Sequence, residues 1–132
     1  NTMIPVSMTV SQQLDNLPTP LARAIFLTTQ ESMANVARHA RASNVTLTLM
    51  RSESYVTLTI SDDGQGFDLD QVSQGRDKRG GKGLGLTSMR ERAARVGGQF
   101  VVESDPQKGT RIFTKLPIRA TTTNFDKGGR TL

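Results

Sequence analysis

The chain has 132 residues, 35% of them hydrophobic and 22% charged, which is enough for one domain with a real core and too apolar for a disordered chain. It has no cysteine and a single histidine, so disulfides, thiolate metal sites and a His-rich zinc cluster are excluded. A net charge of +5 suits an anionic partner, but no Trp, one Tyr and five Phe leave little on which to stack bases, and direct nucleic-acid binding is not expected.

Residues 3–10 alternate, with Ile4, Val6, Met8 and Val10 on one side, and read as a strand. Thr19-Pro20 predicts a helix start, Thr19 as N-cap and Pro20 where its missing N–H is harmless. Leu21, Ile25, Phe26, Thr29, Met33, Val36, Ala37 and Ala40 then recur at three- and four-residue steps, the buried stripe of a long helix ending near Ser43-Asn44. Val45, Leu47 and Leu49, then Val56, Leu58 and Ile60, alternate with threonines and predict a hairpin. Its second strand runs into Asp62-Asp63-Gly64-Gln65-Gly66. Residues 67–82 are polar and basic, a loop long enough to suggest function or disorder. A second helix opens at the glycines, carries Leu86, Met89, Ala93 and Val96, and stops at Gly97-Gly98. Residues 99–104 and 110–116 read as strands joined by a turn at Asp105-Pro106-Gln107-Lys108-Gly109. The order β-α-β-β-loop-α-β-β predicts an α/β two-layer domain, with helices on one face of a mixed sheet. Residues 1–118 form the predicted domain, and 119–132 a disordered tail.

Three constellations carry candidate chemistry. Gly81-Lys82-Gly83-Leu84-Gly85-Leu86 opens a helix, where unpaired first-turn amides and the positive dipole end can hold phosphate. It is neither a P-loop, since Gly83 stands where Ser or Thr is needed, nor a dinucleotide fingerprint, since Ser88 replaces the last Gly. A plain flexible connector explains the cluster alone equally well. Asp62 follows a strand, and Gly64 and Gly66 let the chain turn; a fixed carboxylate there can accept from an exocyclic amine, or it can merely cap the turn. On the long helix, Glu31, Asn35, Arg38 and His39 lie at spacings that share one face or neighbouring faces. Asn and carboxylate oxygens suit Mg²⁺, with Arg38 and His39 neutralising phosphate; a solvated helix face is the duller alternative.

Together these segments resemble the ATP-binding domains of the GHKL superfamily. Glu31-Ser-Met-Ala-Asn35-Val-Ala-Arg38-His39 is similar to its N box, Asp62-Asp63-Gly64-Gln65-Gly66 to its G1 box and Gly81-Lys-Gly-Leu-Gly-Leu86 to its G2 box. Gly109-Thr110 before a strand ending Leu116-Pro117 completes a likeness over residues 3–118. Asn-Val-Ala-Arg-His-Ala-Arg-Ala-Ser and Leu-Thr-Ser-Met-Arg-Glu-Arg-Ala most resemble bacterial two-component sensor histidine kinases of the nitrate-sensor type.

The resemblance implies a Bergerat fold with Mg-ATP between the long helix, the G1 turn and a lid at 67–82. By position, Asp62 would bind the adenine amino group with Thr110 assisting through water, beside Gly64 and Gly66. Asn35 would ligate Mg²⁺ with Glu31 near the metal, the two forming the catalytic face. Arg38 and His39 would face the phosphates, held by Lys82, Gly83, Leu84, Gly85 and Leu86. In the superfamily's ATPases the Glu activates water; in its histidine kinases the phosphate acceptor lies on another domain, so Glu31 is not assigned as a base.

The only histidine is in the N box, so the resemblance implies the catalytic half alone of a protein histidine kinase. Its partners would be ATP, the helical dimerisation and phosphoacceptor domain of the same kinase, and a response regulator with a helix-turn-helix output. The chain begins with Asn1, is expected to be a fragment of a longer protein, and is expected to be monomeric within a homodimeric parent. No apolar run approaches the roughly 20 residues of a membrane span, and no signal peptide is evident. This predicts a cytoplasmic domain and leaves open an inner-membrane anchor in the parent. A GHKL ATPase clamp and an anti-sigma-factor serine kinase are the competing readings.

Overall fold

Alternation of β-branched and apolar residues with threonine builds the sheet of this protein. The computed structural model describes residues 3–11, 14–70 and 85–118. Among them, β1 (Val6–Val10), β2 (Val45–Arg51), β3 (Tyr55–Asp62), β4 (Gln99–Ser104) and β5 (Thr110–Pro117) form one sheet in the order β1-β2-β3-β5-β4. β1 and β2 are parallel, and the remaining neighbours are antiparallel. A parallel pair needs a crossover, and α1 (Thr19–Asn35) supplies it. Leu69 and Asp70 are helical where the sequence predicts a loop, and a further helix, α2 (Leu86–Arg95), precedes the β4–β5 hairpin.

The inward positions of β2, β3 and β5 carry Val45, Leu47, Val56, Leu58, Ile60, Ile112 and Leu116, all buried in one cluster with Leu21, Ala24, Ile25, Val36, Met89 and Ala93 of the helical layer. Both helices therefore lie over the same face, as the sequence predicts. The other face presents Thr46, Met50, Tyr55, Val101 and Arg111, all exposed. Leu58 is 1% exposed, and truncating it to Ala should cost about 2–5 kcal/mol through lost burial and a residual cavity.

Several boundaries differ from the sequence reading, each for a local reason. Pro18 rather than Thr19 caps α1: its carbonyl accepts from Leu21 and Ala22 N–H at 2.9 and 3.1 Å, and no side chain caps the helix. Phe26 is 62% exposed, because it sits one residue past Ile25 and off the stripe that Leu21, Ala24, Ile25, Thr28 and Ser32 bury. Ala37 is likewise exposed. Thr28 and Ser32 are polar, which hides them from a hydrophobic pattern. The helix does not run to Ser43-Asn44: α1 ends at Asn35, Val36–Ala40 forms a π turn, and Arg41 stops it in the left-handed region at φ 52°. β1 is shorter than residues 3–10, and its Val6, Met8 and Val10, although in register with Val45, Leu47 and Leu49, remain exposed at the sheet edge.

The second helix ends as expected. Gly98 N–H donates to Ala93 O at 2.8 Å and Gly97 N–H to Ala94 O at 3.0 Å, with Gly97 at φ 77°, a Schellman stop. This aims β4 back under α2 and toward β5.

Candidate functional site

The end of β3 is where the sheet, the start of β5 and the α1–β2 loop converge. Register pairs Asp62 with Thr110, so the last residue of β3 lies beside the first of β5. Asp62 Oδ1 accepts the N–H of Gly64 at 2.8 Å, a tight Asx turn that Gly64 makes from a buried position. Its carboxyl is pushed above the ordinary value of 3.8 because burial disfavours the charge; N–H groups of Gly64 and Thr110 oppose that, and neighbouring Asp63 adds to it. A carboxylate so placed both caps its turn and keeps acceptor capacity.

Asp63 points elsewhere. Its Oδ1 accepts from Ser43 and Asn44 N–H at 2.7 and 2.9 Å, and those donors hold its carboxyl below the ordinary value. Gln65 adds a second tie, donating from Nε2 to the carbonyl of His39. The G1 turn is thereby strapped to the end of the π turn.

Two glycines make the close approach possible. Gly66 has φ 64°, and a Cβ there would lie 2.0 Å from Asp105 O. Gly109 has φ 82°, and its Cβ would lie 2.2 Å from Asp62 O. Neither position tolerates a side chain.

Ser104 is the hub that the sequence reading missed. Its Oγ donates to Gly109 O at 3.1 Å and accepts Phe67 N–H at 3.0 Å. The Thr110 Oγ1 contact at 2.8 Å then has Thr110 as donor, so Thr110 offers only lone pairs outward. The available signal was parity: Ser104 falls at the inward position of β4, in step with Phe100, and is buried.

Along α1, Glu31, Asn35 and His39 are half-buried and Arg38 is exposed. The π turn begins directly after Asn35, and its wider winding breaks the i, i+4 stacking that the spacing of Asn35 and His39 implies. Glu31 Oε1 lies 3.4 Å from Arg92 Nη1 of α2. Gly85 caps α2 at φ 71°, and Leu86 opens the helix, packed against the core. Lys82, Gly83 and Leu84, and the expected lid beyond Asp70, lie outside the described residues.

A depression of about 320 Å³, lined by Ser61, Asp62, Glu103, Lys108 and Arg111 among others, opens at the same end of the sheet. Ser61, Glu103 and Arg111 belong to the face that the helices leave uncovered, so this hollow backs the G1 turn. Among the described residues, no three His, Asp or Glu gather as a metal cage. Mg²⁺ shared with phosphate needs no such cage, and an Asn oxygen with waters and phosphate fits it.

Residues 21–120 match the family model described as histidine kinase-, DNA gyrase B-, and HSP90-like ATPase. The sensor protein VraS of Staphylococcus saprophyticus is 34% identical over 92% of this chain and 33% of its own length. VraS of Staphylococcus aureus is 33% identical over 87% of this chain and 31% of its own. The chain thus spans about a third of the curated relatives it matches. In fold, a blue-light activated histidine kinase of Erythrobacter litoralis superposes with a TM-score of 0.70 at 24% identity, over 89% of this chain and 36% of that one.

Proposed function

The chain belongs to the histidine kinase-, DNA gyrase B-, and HSP90-like ATPase family, and from that premise we propose that it is the ATP-binding catalytic domain of a sensor histidine kinase in two-component signalling. The observation that carries this reading is Asp62: a half-buried carboxylate at a strand end, fixed by the Gly64 amide beside Thr110. A purine amino group donates to such an acceptor, and the Thr110 lone pairs fit a water bridging to the same ring edge. Asn35, where α1 gives way to the π turn, would ligate a triphosphate-bound metal, and Arg38 and His39 would donate hydrogen bonds to the phosphate oxygens. Bound Mg²⁺ would screen the phosphate charge and orient the γ-phosphoryl group. The domain's own work is then to hold the base, align the triphosphate and exclude water. Phosphoryl transfer asks little more than positioning and charge stabilisation.

The transferred phosphoryl would leave the β–γ bridging oxygen with ADP and form a P–N bond to a histidine. His39 belongs to the N box, so that acceptor belongs to a helical dimerisation domain elsewhere in the parent kinase, followed by a response regulator. The domain would span residues 1–118. The match to VraS sensor proteins supports the kinase reading; the finer likeness to nitrate sensors rests on the N-box and Met-Arg-Glu-Arg motifs alone. No helix among the described residues is long and apolar enough to cross a membrane.

The test is calorimetric titration with a non-hydrolysable ATP analogue and Mg²⁺. The protein should bind, and Asp62→Asn should weaken binding about a hundredfold, the scale of a buried charge-assisted hydrogen bond plus an amide clash. A folded Asp62→Asn protein with unchanged affinity would sink the assignment.

A further inference from the structure

The sequence places Glu31 near a metal, yet the structure gives its carboxylate a partner on the other helix. Arg92 Nη1 lies 3.4 Å from Glu31 Oε1, with the two side chains 20% and 31% exposed. The same carboxylate fills the space in front of Gly85: a Cβ there would lie 2.1 Å from Glu31 Oε2. Gly85 is left-handed at φ 71° and caps α2, a backbone angle that favours glycine, and a side chain there would have to push the Glu31 carboxylate aside.

The spacing on both helices makes this a joint. Gly85, Met89 and Arg92 are four and three residues apart and form one stripe of α2. Ser32, adjacent to Glu31, donates to Met89 Sδ at 3.6 Å within that stripe. Helical side chains lean toward the N-terminus, so Arg92 reaches back toward the start of α2. Glu31 in turn stands one turn before Asn35 on α1. Its negative charge at the α2 N-terminus is also favoured by the helix dipole.

We propose that Arg92 is a positioning residue: by pairing with Glu31 it holds that carboxylate against Gly85 and so sets the phosphate-facing start of α2 relative to Asn35. Glu31 is then a strut between the two helices, rather than a ligand free to turn to the metal. This rests on the nucleotide reading given above. The strut acts at the phosphate end of the site, while Asp62 and Thr110, on the sheet, hold the base independently of it.

The distinction fixes the experiment: affinities for adenosine, by NMR shift titration, and for Mg-ATP analogue, by calorimetry, in the same variants. Arg92→Ala should weaken Mg-nucleotide about fivefold, the scale of a partly buried ion pair, and leave adenosine unchanged. Arg92→Lys should recover most of the loss, and Glu31→Ala should add little in the Arg92→Ala background. Arg92→Gln keeps much of the side-chain stem and serves if Arg92→Ala does not fold. The proposal is overturned if Arg92→Ala leaves Mg-nucleotide affinity intact, or weakens adenosine equally. It is overturned too if Glu31→Ala weakens nucleotide to the same degree with or without Arg92, which would return Glu31 to the metal. A wild-type protein that binds neither probe would instead remove the nucleotide reading itself.

Discussion

Asp62 and Asp63 are neighbours in sequence and opposites in physics. Asp62 is half-buried beside Thr110 and its carboxyl is pushed up by burial, whereas Asp63 is exposed and its carboxyl is pulled down by the Ser43 and Asn44 amides. One carboxylate is held at a cost in solvation with acceptor capacity left over. The other spends its acceptors on strapping the G1 turn to the α1–β2 loop. A group that stabilises the fold makes full use of its partners; a group kept for a ligand is left under-used and strains the unliganded state.

The largest effect should come from removing the frame that holds both. Gly109→Ala forces a Cβ into Asp62 O and against Asp63 Cα at a φ of 82°, and should destabilise by about 3 kcal/mol or more, seen in urea unfolding. Next, Asp62→Asn should lose nucleotide about a hundredfold while the protein stays folded by circular dichroism. Asp63→Ala should do the reverse: a melting temperature lower by a few degrees, with nucleotide affinity within about threefold of wild type. Equal effects of the two substitutions on binding would erase the contrast.

The smallest effect is in pH. The folded pKa of Asp62 is raised, so the stability tied to this group is complete below its unfolded value of 3.8 and is lost as pH rises through the folded value. Asp63 is lowered, so its contribution is present above 3.8 and is lost as pH falls through its folded value. Thermal melts of the unliganded protein should therefore show the gap between wild type and Asp63→Asn closing in acid below about 3.8. Nucleotide affinity should begin to fall at a higher pH, as Asp62 takes up its proton.

Much of this was open to a reader of the sequence, because it depends on short-range rules. Strand alternation in β2, β3 and β5, the Gly97-Gly98 stop and the hairpin turns are set by residues within a few positions of one another. The candidates Asn35 and Asp62 stood out as polar residues in a helix interior and at a strand end, whereas Thr110 came only from the family resemblance. Ser104 escaped because a buried hydroxyl with three partners resembles any strand serine until those partners fold around it. Phe26 misled because its place just off the stripe of α1 depends on how that helix is rotated against the sheet.

The amino-acid sequence by itself determined most of the elements and their order, since periodicity and turn chemistry act locally, and the family resemblance added the candidate site residues. Tertiary structure alone decided how each polar group is used. It separated Asp62 from Asp63 by burial and by the arrival of the Ser43 and Asn44 amides. It wound the end of α1 into a π turn, and it brought Arg92, 61 residues away, onto Glu31. Those outcomes depend on which surfaces pack together, and the electrostatics of a carboxyl follows from its neighbours in space.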